Sequence, residues 1–303
     1  MNFIFRPTHA KDKPRALEIT AHTWDDGDYI PEVWDNWLAD PKGELTSVEL
    51  DGNVVAFAKL TGQGEGQWWQ EGLRVDPAYR LKGLGQAMST YQVELAKKLG
   101  GRVIRHATGI DNEGSHRIAE RAGFRVLTRF VERVADKLDA PVEAKALTSA
   151  DLDAVWSIAY DSGLLRASQG VYVFAWKACQ MTRERLAEYL DAGSVMGVAL
   201  QQRRNEAGRL CAWCLVENDP NWDRLGVTTL FGATDGITQL ARAMRAQAAA
   251  LGKKMVEVMA TPHPRVLEAL ELAGYRLEAN PKQGDEPHEH GIDIFELGLN
   301  QAA

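Results

Sequence analysis

A short basic segment that contains two glycines carries the residue types best suited to binding an anion. It includes Arg80, Lys82, Gly83 and Gly85 and lies between a predicted strand and a predicted helix. The first turn of a helix has four N–H groups without intrahelical partners and the positive end of the helix dipole. Glycine lets a phosphate approach those N–H groups closely, and the two basic side chains add positive charge. The segment therefore predicts a phosphate-binding turn.

The spacing within this segment separates it from two common phosphate-binding motifs. The nucleotide P-loop needs a Gly-Lys-Ser/Thr sequence, and the dinucleotide fingerprint needs three spaced glycines. The pattern Arg80-x-x-Gly83-x-Gly85 has neither feature. A helix start that binds nothing is the alternative for so short a pattern, so the surrounding elements have to decide between the two.

Two elements must hold this segment in place. Residues 68–75 are rich in aromatic and β-branched side chains and are followed by Asp76-Pro77, which predicts a strand that ends there. Apolar residues then recur at helical spacing from Leu84 to Leu99 and predict a helix over about residues 83–99. The basic segment is therefore expected to be the turn from a strand into a helix.

The rest of the first half predicts further strands and helices around this turn. Asp51-Gly52-Asn53 is a strong hairpin signal between two apolar runs. The predicted strands are residues 2–6, 45–50, 54–60, 68–75, 103–108 and 124–131, and the predicted helices are residues 14–22, 32–38, 83–99 and 112–122. The resulting order of elements is β-α-α-β-β-β-α-β-α-β.

In this order of elements, the basic segment resembles the coenzyme A diphosphate loop of the GNAT superfamily of N-acetyltransferases. That loop has the pattern Arg/Gln-x-x-Gly-x-Gly/Ala after a strand ending in Val-x-Pro, as Val75-Asp76-Pro77 does here. A second family motif is matched by Asn112-x-x-Ser115-x-x-Ile118-Ala119-x-x-x-Gly123-Phe124. The resemblance spans the whole first half. It implies an α/β fold, of the α+β mixed-sheet kind, in which a twisted mixed β-sheet is flanked by helices.

The resemblance also implies acetyl-CoA as the acyl donor and a set of residues that bind it. The diphosphate would lie on the N–H groups of residues 80–86, and the pantetheine arm would pair with residues 73–75 like an added strand. The Val75 N–H would polarise the thioester carbonyl. The implied cofactor-binding residues are Leu73, Arg74, Val75, Arg80, Leu81, Lys82, Gly83, Leu84, Gly85, Gln86, Asn112 and Ser115.

Transfer to an amine also needs a base, because the amine must lose a proton before it attacks. Glu71 is the first candidate, since it lies on the strand just before the cofactor-pairing residues. Regular strand alternation would place it on the face of Leu73 and Val75. An ion pair with a nearby Arg or Lys is the alternative role for Glu71. His106, on the neighbouring predicted strand, is the second candidate, with a core or capping role as its alternative.

One departure from the family motif leaves the general acid unassigned. Many members have a tyrosine seven residues after the motif's Asn, where it protonates the departing thiolate, and this sequence has Ala119 there. Two functions from different classes therefore stay open. The first is an N-acetyltransferase that works by direct attack of a primary amine in the first half. The second is an acyl-CoA-binding regulatory or scaffold protein without transferase activity.

The second half of the chain repeats the first faintly. Gly252 lies 152 residues after Gly100, and Gly274 lies 151 residues after Gly123, each in a similar local sequence. A constant offset at two landmarks indicates duplication. The sequence therefore predicts two tandem GNAT-like domains, residues 1–138 and 142–303. In the second half, the predicted helices are residues 151–161, 182–191, 235–251 and 264–273, and the predicted strands are residues 195–200, 209–216 and 224–231.

The second copy lacks the residues that would bind the diphosphate. Its strand-to-helix turn, residues 231–238, reads Phe-Gly-Ala-Thr-Asp-Gly-Ile-Thr and has no basic residue. Asp235 falls near the start of the helix, where a carboxylate suits an empty helix N-terminus and would repel a diphosphate. The prediction is an active first copy and a degenerate second copy that serves as a scaffold or as a wall of the substrate site.

Composition bounds the partners and the compartment. The net charge of −7 disfavours broad nucleic-acid binding, and no apolar run approaches the ~20 residues that span a bilayer. Three cysteines and the absence of a signal-peptide pattern predict a cytoplasmic protein. We expect no nucleic acid, membrane or metal as partner. The expected acceptor is a small-molecule amine, ahead of a protein amine, and the sequence leaves the oligomeric state open.

Overall fold

The computed structural model describes residues 3–21, 23, 27–174, 176–200, 209–278 and 287–299. The chain forms two compact units. The first comprises Met1–Leu127 together with Ile294–Ala303, and the second comprises Thr128–Asp293. Among the helices in the described ranges, none is long and apolar enough to cross a membrane.

The first unit begins with the elements that the sequence predicts, in the predicted order. The helices α1 and α2 follow the first strand, and a hairpin precedes the long strand that leads into α3. The elements are β1 (Ile4–Pro7), α1 (Lys13–Thr20), α2 (Ile30–Ala39), β2 (Gly43–Leu50), β3 (Asn53–Gly62), β4 (Gln67–Val75), α3 (Leu84–Lys98), β5 (Val103–Gly109) and α4 (Glu113–Arg121).

The remaining elements belong mainly to the second unit. They are β6 (Arg125–Asp136), β7 (Lys145–Ala146), α5 (Leu152–Asp161), α6 (Leu164–Ala167), β8 (Val171–Phe174), β9 (Lys177–Gln180), α7 (Arg183–Asp191), β10 (Val195–Leu200), β11 (Arg209–Glu217), β12 (Arg224–Gly232), α8 (Thr234–Ala250), β13 (Met255–Ala260), α9 (Pro264–Leu272) and β14 (Gly291–Gly298). The elements that the sequence did not predict are the hairpin β8–β9, the short helix α6 and the strands β7, β13 and β14.

The sheet of the first unit has the order β1-β2-β3-β4-β5, followed by residues 294–298 of β14. The pairs from β1 to β4 are antiparallel, whereas β4 and β5 are parallel. Helices α1 and α2 pack on one face, where the rings of Trp34 and Phe57 meet edge to face at 5.4 Å between centroids. Helix α3 packs on the other face, with Leu84 and Met88 buried against β2 and β3.

The sheet of the second unit has the order β6-β13-β12-β11-β10-β7, and only its β12–β13 pair is parallel among the described strands. Helix α5 packs against it, with Trp213 Nε1 on β11 donating a 2.9 Å hydrogen bond to the Val155 carbonyl. Both units therefore have a mixed sheet flanked by helices. This confirms the predicted fold class.

The compact units divide the chain differently from the predicted domains 1–138 and 142–303. Strand β6 runs on to Asp136 instead of ending at Val131, and residues 131–136 pair with β13 in the second unit. The C-terminal residues 294–298 extend the sheet of the first unit instead. The boundaries differ because each of these segments belongs to the unit whose sheet it extends by strand pairing.

Candidate active site

The strands β4 and β5 separate halfway along β4. They pair only where Gln67–Trp69 lie opposite Val103–Arg105. Beyond Trp69, β4 stays paired with β3 as far as Val75 and has β5 as a neighbour no longer. A strand edge with unpaired N–H and C=O groups can accept an added strand, which is how a peptide-like ligand is held in β-augmentation.

A bulge at Gly72 accompanies this separation. Gly72 and Leu73 together lie opposite Ala58, and Gly72 has φ +67°. A Cβ atom at Gly72 would lie 2.4 Å from Cη2 of Trp37 on α2, so only glycine fits at this position. The extra residue shifts the alternation of side chains along β4 by one.

Because of the bulge, the predicted orientation of Glu71 is wrong. Gln70 donates to the Ser89 carbonyl on α3, and Leu73 lies on that same face, near Gly85. Glu71 faces the other way, toward α1 and α2, and its Oε1 accepts a 2.6 Å hydrogen bond from Thr61 Oγ1. Glu71 therefore does not share a face with Leu73 and Val75, because the regular alternation behind that prediction is interrupted at Gly72.

The backbone of β4 beyond the bulge points its polar groups in a defined direction. Asp76 N–H donates to the Val55 carbonyl on β3, so the N–H and C=O groups of Arg74 also face β3. Those of Leu73 and Val75 consequently face the gap left by β5. The Leu73 carbonyl accepts a 3.1 Å bond from Arg74 Nη1, and the Val75 carbonyl accepts a 3.3 Å bond from Arg80 Nε.

The segment from Asp76 to Gly83 leads from β4 into α3. Asp76 Oδ1 accepts from Ala78 N–H at 2.8 Å and starts a short 3-10 turn. Leu81 has φ +61° and a fully exposed side chain, and Lys82 Nζ lies 4.7 Å from the centre of the Tyr79 ring. This segment is the predicted turn, and its basic side chains lie on the surface.

The two glycines of the motif have different structural roles. Gly83 has φ +80° and precedes α3. Apart from its chain neighbours, no atom of the described residues lies within 4 Å of where its Cβ would be. Among the described residues, no side chain caps this helix start. A Cβ at Gly85 would lie 3.0 Å from Cδ1 of Ile118 and 3.6 Å from Cδ2 of Leu73. Gly83 therefore keeps the helix N-terminus open, whereas Gly85 lets α4 pack closely against α3.

The second motif lies on α4, beside this helix start. Asn112 caps α4, and its Oδ1 accepts a 3.1 Å bond from Ser115 N–H. The side-chain amide of Gln86 lies 3.2 Å from the Ile118 carbonyl at the other end of α4. The structure thus brings Asn112 and Ser115 together at one helix end. The cofactor-binding role of all these residues stays a prediction.

Polar and aromatic side chains from the α1–α2 connection lie over the face that carries Glu71. Arg74 forms two hydrogen bonds with Asp28, at 2.6 and 3.0 Å, and its guanidinium lies 5.6 Å from the centre of the Tyr29 ring. Tyr29 is 46% exposed, and its partial burial raises its pKa to about 12. The Arg74 guanidinium opposes that rise, and the Glu71 and Asp28 carboxylates add to it. Tyr29 is therefore a neutral donor at pH 7.

Sequence reasoning did not select Tyr29, Thr61 or Lys59 for this face. Lys59, directly opposite Glu71 on β3, is fully buried and binds Asp40 at 2.7 Å. The sequence did contain a signal for this polar face. Lys59 and Thr61 are two residues apart in an otherwise apolar strand, and residues at that spacing share a face. Asp25 and Asp26, in the connection between α1 and α2, lie outside the described residues.

His106 packs among aromatic rings on the opposite face of the sheet. Its ring stacks on Phe295 at 5.2 Å and meets Phe124 edge to face at 4.8 Å. Nδ1 is buried and has no hydrogen-bond partner among the described residues. Burial, with a smaller contribution from the charge of His116, lowers the pKa of His106 to about 4. The structure does not bring His106 and Glu71 together.

The position of the missing family tyrosine is part of the core. Ala119 is 1% exposed and packs in a cluster with Trp68, Phe124 and Phe295. His116, one turn earlier on α4, has its Nε2 3.1 Å from the Gly109 carbonyl at the end of β5. Within the described ranges, no cluster of three or more His, Cys, Asp or Glu side chains could hold a metal ion.

The second unit has no counterpart of the segment from Asp76 to Gly83. Ala233 alone separates β12 from α8. A Cβ at Gly232 would lie 2.7 Å from the Cβ of Ala212, and one at Gly236 would lie 3.1 Å from the Cys211 sulfur. The first turn of α8 therefore packs directly on β11. Asp235 adds a carboxylate to the same turn.

Comparisons with known proteins agree with this architecture. Residues 12–124 match the family model described as Acetyltransferase (GNAT) family. No curated protein sequence matches the chain.

Solved structures resemble the chain over its full length. A GCN5-related N-acetyltransferase from Sphaerobacter thermophilus has a TM-score of 0.67 at 16% identity, covering 99% of this chain and 97% of that one. A tandem GNAT protein from the clavulanic acid biosynthesis pathway has a TM-score of 0.56 at 16% identity and covers 100% of both chains. A GCN5-related N-acetyltransferase from Kribbella flavida has a TM-score of 0.56 at 14% identity, covering 98% of this chain and 71% of that one. At these identities the likeness shows the fold alone.

Proposed function

Since residues 12–124 form a GNAT acetyltransferase domain and the whole chain has the fold of tandem GNAT proteins, we propose that the first unit transfers an acetyl group from acetyl-CoA to a primary amine. The observation that carries this proposal is the gap between β4 and β5, which lies next to an uncapped helix N-terminus. Acetyl-CoA needs both features, because its diphosphate requires a site for an anion and its amide-containing pantetheine arm requires a free strand edge.

The donor site uses backbone groups more than side chains. The diphosphate binds the N–H groups at the start of α3, over Gly83, with Arg80 and Lys82 supplying charge. The pantetheine arm pairs with Leu73 and Val75, whose polar groups face the gap, and displaces the guanidinium groups that now contact their carbonyls. Arg74, which the family resemblance implies for this pairing, contributes its side chain to the other face instead.

The transfer step forms a C–N bond and breaks a C–S bond. The amine nitrogen attacks the thioester carbonyl carbon, and the Val75 N–H donates to the oxygen as it gains negative charge. Glu71 accepts the proton that the amine loses, held in place by Thr61. The thiolate takes up a proton from solvent water as coenzyme A leaves. Ala119 cannot supply that proton, and Tyr29 is a neutral phenol on the amine side of β4.

The proposed acceptor is a small-molecule primary amine, ahead of a protein amine. Asp28 forms an ion pair with Arg74, so its negative charge is already balanced within the protein and does not recognise the acceptor. Glu71 therefore remains our candidate for recognising the amine as well as for deprotonating it. A site whose specificity rests on one carboxylate among aromatic rings favours a compact amine.

A screen of amines with detection of free thiol tests the proposal. We expect purified protein to release coenzyme A from acetyl-CoA with at least one small primary amine. Gly83→Glu is expected to abolish acetyl-CoA binding, because it places a carboxylate at the helix start. Gly64→Glu is the matched control, since Gly64 also has positive φ and open space around its Cβ. If Gly83→Glu binds acetyl-CoA as tightly as Gly64→Glu does, the diphosphate is not bound there.

A second function is favoured by one observation. Ala119 is buried where family members place their acid, which fits an acyl-CoA-binding regulatory or scaffold protein without transferase activity. The same screen separates the two functions. An enzyme releases thiol only when an amine is present, whereas a binding protein takes up acetyl-CoA and releases no thiol with any amine.

A further inference from the structure

The second unit has a groove of its own between the β8–β9 hairpin and the strands β12 and β13. It is open to solvent on one side. The residues that matter for its chemistry are Trp176, Trp222, Glu217, Glu257 and Thr228. Nothing in the transfer reaction of the first unit uses them.

Two tryptophans at the groove are unusually exposed. Trp176, in the β8–β9 turn, is 51% exposed, and Trp222, in the β11–β12 connection, is 45% exposed. The Trp222 connection is held firmly, because Nζ of the buried Lys253 donates to the carbonyls of Asp219 and Trp222 at 2.6 and 2.7 Å. Exposed apolar surface of this kind, concentrated at one groove, is typical of a binding site.

Two carboxylates flank the floor of the groove. Gly226 on β12 is paired with Glu217 on one side and with Glu257 on the other, so the two glutamates lie on the same face with a residue lacking a side chain between them. Strand spacing places their Cα atoms about 10 Å apart. This leaves a slot between two negatively charged groups.

Arg224 balances the charge of Glu257 only in part. Arg224 Nη1 binds Glu257 at 2.9 Å, but its guanidinium also makes two hydrogen bonds to Glu278, at 3.0 and 2.7 Å. One positive charge is thus shared between two carboxylates. The carboxylates of Glu257 and Glu278 together therefore carry more charge than this arginine balances.

Thr228 supplies an independent indication that something binds here. The residue is 6% exposed and lines the groove, and its Oγ1 is buried without a hydrogen-bond partner among the described residues. An unpaired buried hydroxyl costs free energy, and most such groups in proteins have a partner. Thr228 also directly precedes the bulge residue of β12, Thr229 with φ +57°, as Glu71 precedes Gly72 in β4.

We propose that this groove binds a small organic ammonium ion. The cation would lie between the ring faces of Trp176 and Trp222, with the carboxylates of Glu217 and Glu257 balancing its charge and a polar group of the ligand pairing with Thr228 Oγ1. Aromatic faces attract quaternary and protonated amines electrostatically, and the attraction increases where solvent is excluded. This site does not depend on acetyl transfer in the first unit.

Calorimetric titration of the full chain with choline tests the proposal. Its neutral isostere, 3,3-dimethylbutan-1-ol, has the same shape without the charge. We expect choline to bind at one site per chain and the alcohol to bind at least roughly tenfold more weakly, because both the ring faces and the carboxylates favour a cation. Equal affinity for the two probes would mean a merely apolar groove and would overturn the proposal.

Variants locate the site. Trp222→Leu is expected to weaken choline binding roughly 3- to 30-fold, whereas Tyr160→Leu, which removes another exposed aromatic side chain of the same unit, leaves it unchanged. Glu217→Gln is expected to weaken binding, with Glu268→Gln on the exposed face of α9 as its control. Loss of affinity in the control variants equal to that in the groove variants would place the ligand elsewhere.

Thr228→Val separates a binding role from a structural one. The valine keeps the shape and removes the unpaired hydroxyl, so the unliganded protein should be as stable as before or more stable. Choline, which carries a hydroxyl, should bind the variant several-fold more weakly, whereas tetramethylammonium, which has none, should bind it as it binds the parent. Unchanged choline affinity together with a less stable protein would show that the hydroxyl serves the fold and not a ligand.

Discussion

Thr61 Oγ1 donates a 2.6 Å hydrogen bond to Oε1 of Glu71 across the β3–β4 pair. The bond fixes the carboxylate on the face of the sheet that carries α1 and α2, next to Tyr29 and the Asp28–Arg74 ion pair. The bulge at Gly72 turns the following residues over, so Glu71 faces away from Leu73. In the proposed reaction, the acceptor amine would therefore approach from the face that carries Glu71, and the pantetheine arm would lie along the edge of the strand beyond the bulge.

Glu71→Gln is expected to slow the turnover of amine acetylation by about 10²- to 10⁴-fold, because the amide cannot accept the proton of the amine. Binding of acetyl-CoA should be unchanged, since the donor contacts come from residues beyond the bulge. Steady-state kinetics with a saturating amine, together with calorimetry for acetyl-CoA, measure the two effects separately. Glu65→Gln, on the exposed β3–β4 turn, is the control. Parent-like turnover in Glu71→Gln would remove this residue as the base.

Gly72→Ala is expected to destabilise the first unit by about 2–4 kcal/mol. A methyl group there would lie 2.4 and 2.6 Å from two atoms of the buried Trp37 ring, and the backbone has φ +67°. Gly64→Ala has the same conformational cost, at φ +82°, without a neighbour within 4 Å, and should lose about 1 kcal/mol. Chemical unfolding followed by tryptophan fluorescence measures both. Equal losses in the two variants would show that Trp37 moves aside at little cost.

The sequence predicts what depends on local signals and misses what depends on pairing. Strand β4, the basic turn and α3 follow from Pro77, the glycines and helical periodicity, and the structure has them within one residue of the predicted bounds. Gly72 inside a strand is a possible bulge signal, but the register shift, and with it the face of Glu71, depends on how β3 pairs. Residues 294–298 carry no local signal for the sheet that they join, so sequence alone could not assign them to the first unit.

Glu132→Gln is expected to change how the free energy of unfolding depends on pH. Burial and the neighbouring Glu257 and Glu278 carboxylates raise the pKa of Glu132 to about 8, while Arg224 opposes the rise. The folded protein therefore holds a proton between pH 4.5 and 8 that the unfolded chain has lost, so stability falls as pH rises through that window, by up to about 1.4 kcal/mol per pH unit.

Urea unfolding at about pH 5 and about pH 8 measures this dependence. The glutamine cannot ionise, so the variant should gain stability relative to the parent at the higher pH and not at the lower one. Glu289→Gln is the control, because Glu289 is paired with Arg133 at the surface. Its stability should depend on pH as that of the parent does. A Glu132→Gln variant whose stability difference from the parent is the same at both pH values would contradict the raised pKa.

His106→Phe is expected to retain acetyl transfer within about twofold of the parent. The ring lies in a stack with Phe124 and Phe295, on the face away from Glu71, and is neutral at pH 7 because its pKa is lowered to about 4. In the unfolded chain His106 takes up a proton near pH 6.5, whereas in the folded protein it stays neutral down to about pH 4. The parent therefore loses stability as pH falls from 6.5 to 4. The variant should lose less over that range. Turnover slowed by about a hundredfold or more would instead restore His106 as a catalytic candidate.

Acetyl-CoA is expected to bind at one site per chain, in the first unit. The second unit cannot form a diphosphate site by a change of charge alone, because Ala233 is the whole connection between β12 and α8 and the first turn of α8 packs on Cys211 and Ala212. Asp235→Asn should therefore leave the stoichiometry at one, even though it removes the repelling carboxylate. Calorimetric titration of the parent, Asp235→Asn and Gly83→Glu proteins gives the three stoichiometries. Two sites in Asp235→Asn would mean that charge, and not the missing segment, keeps the second copy empty, whereas one remaining site in Gly83→Glu would move the donor site out of the first unit.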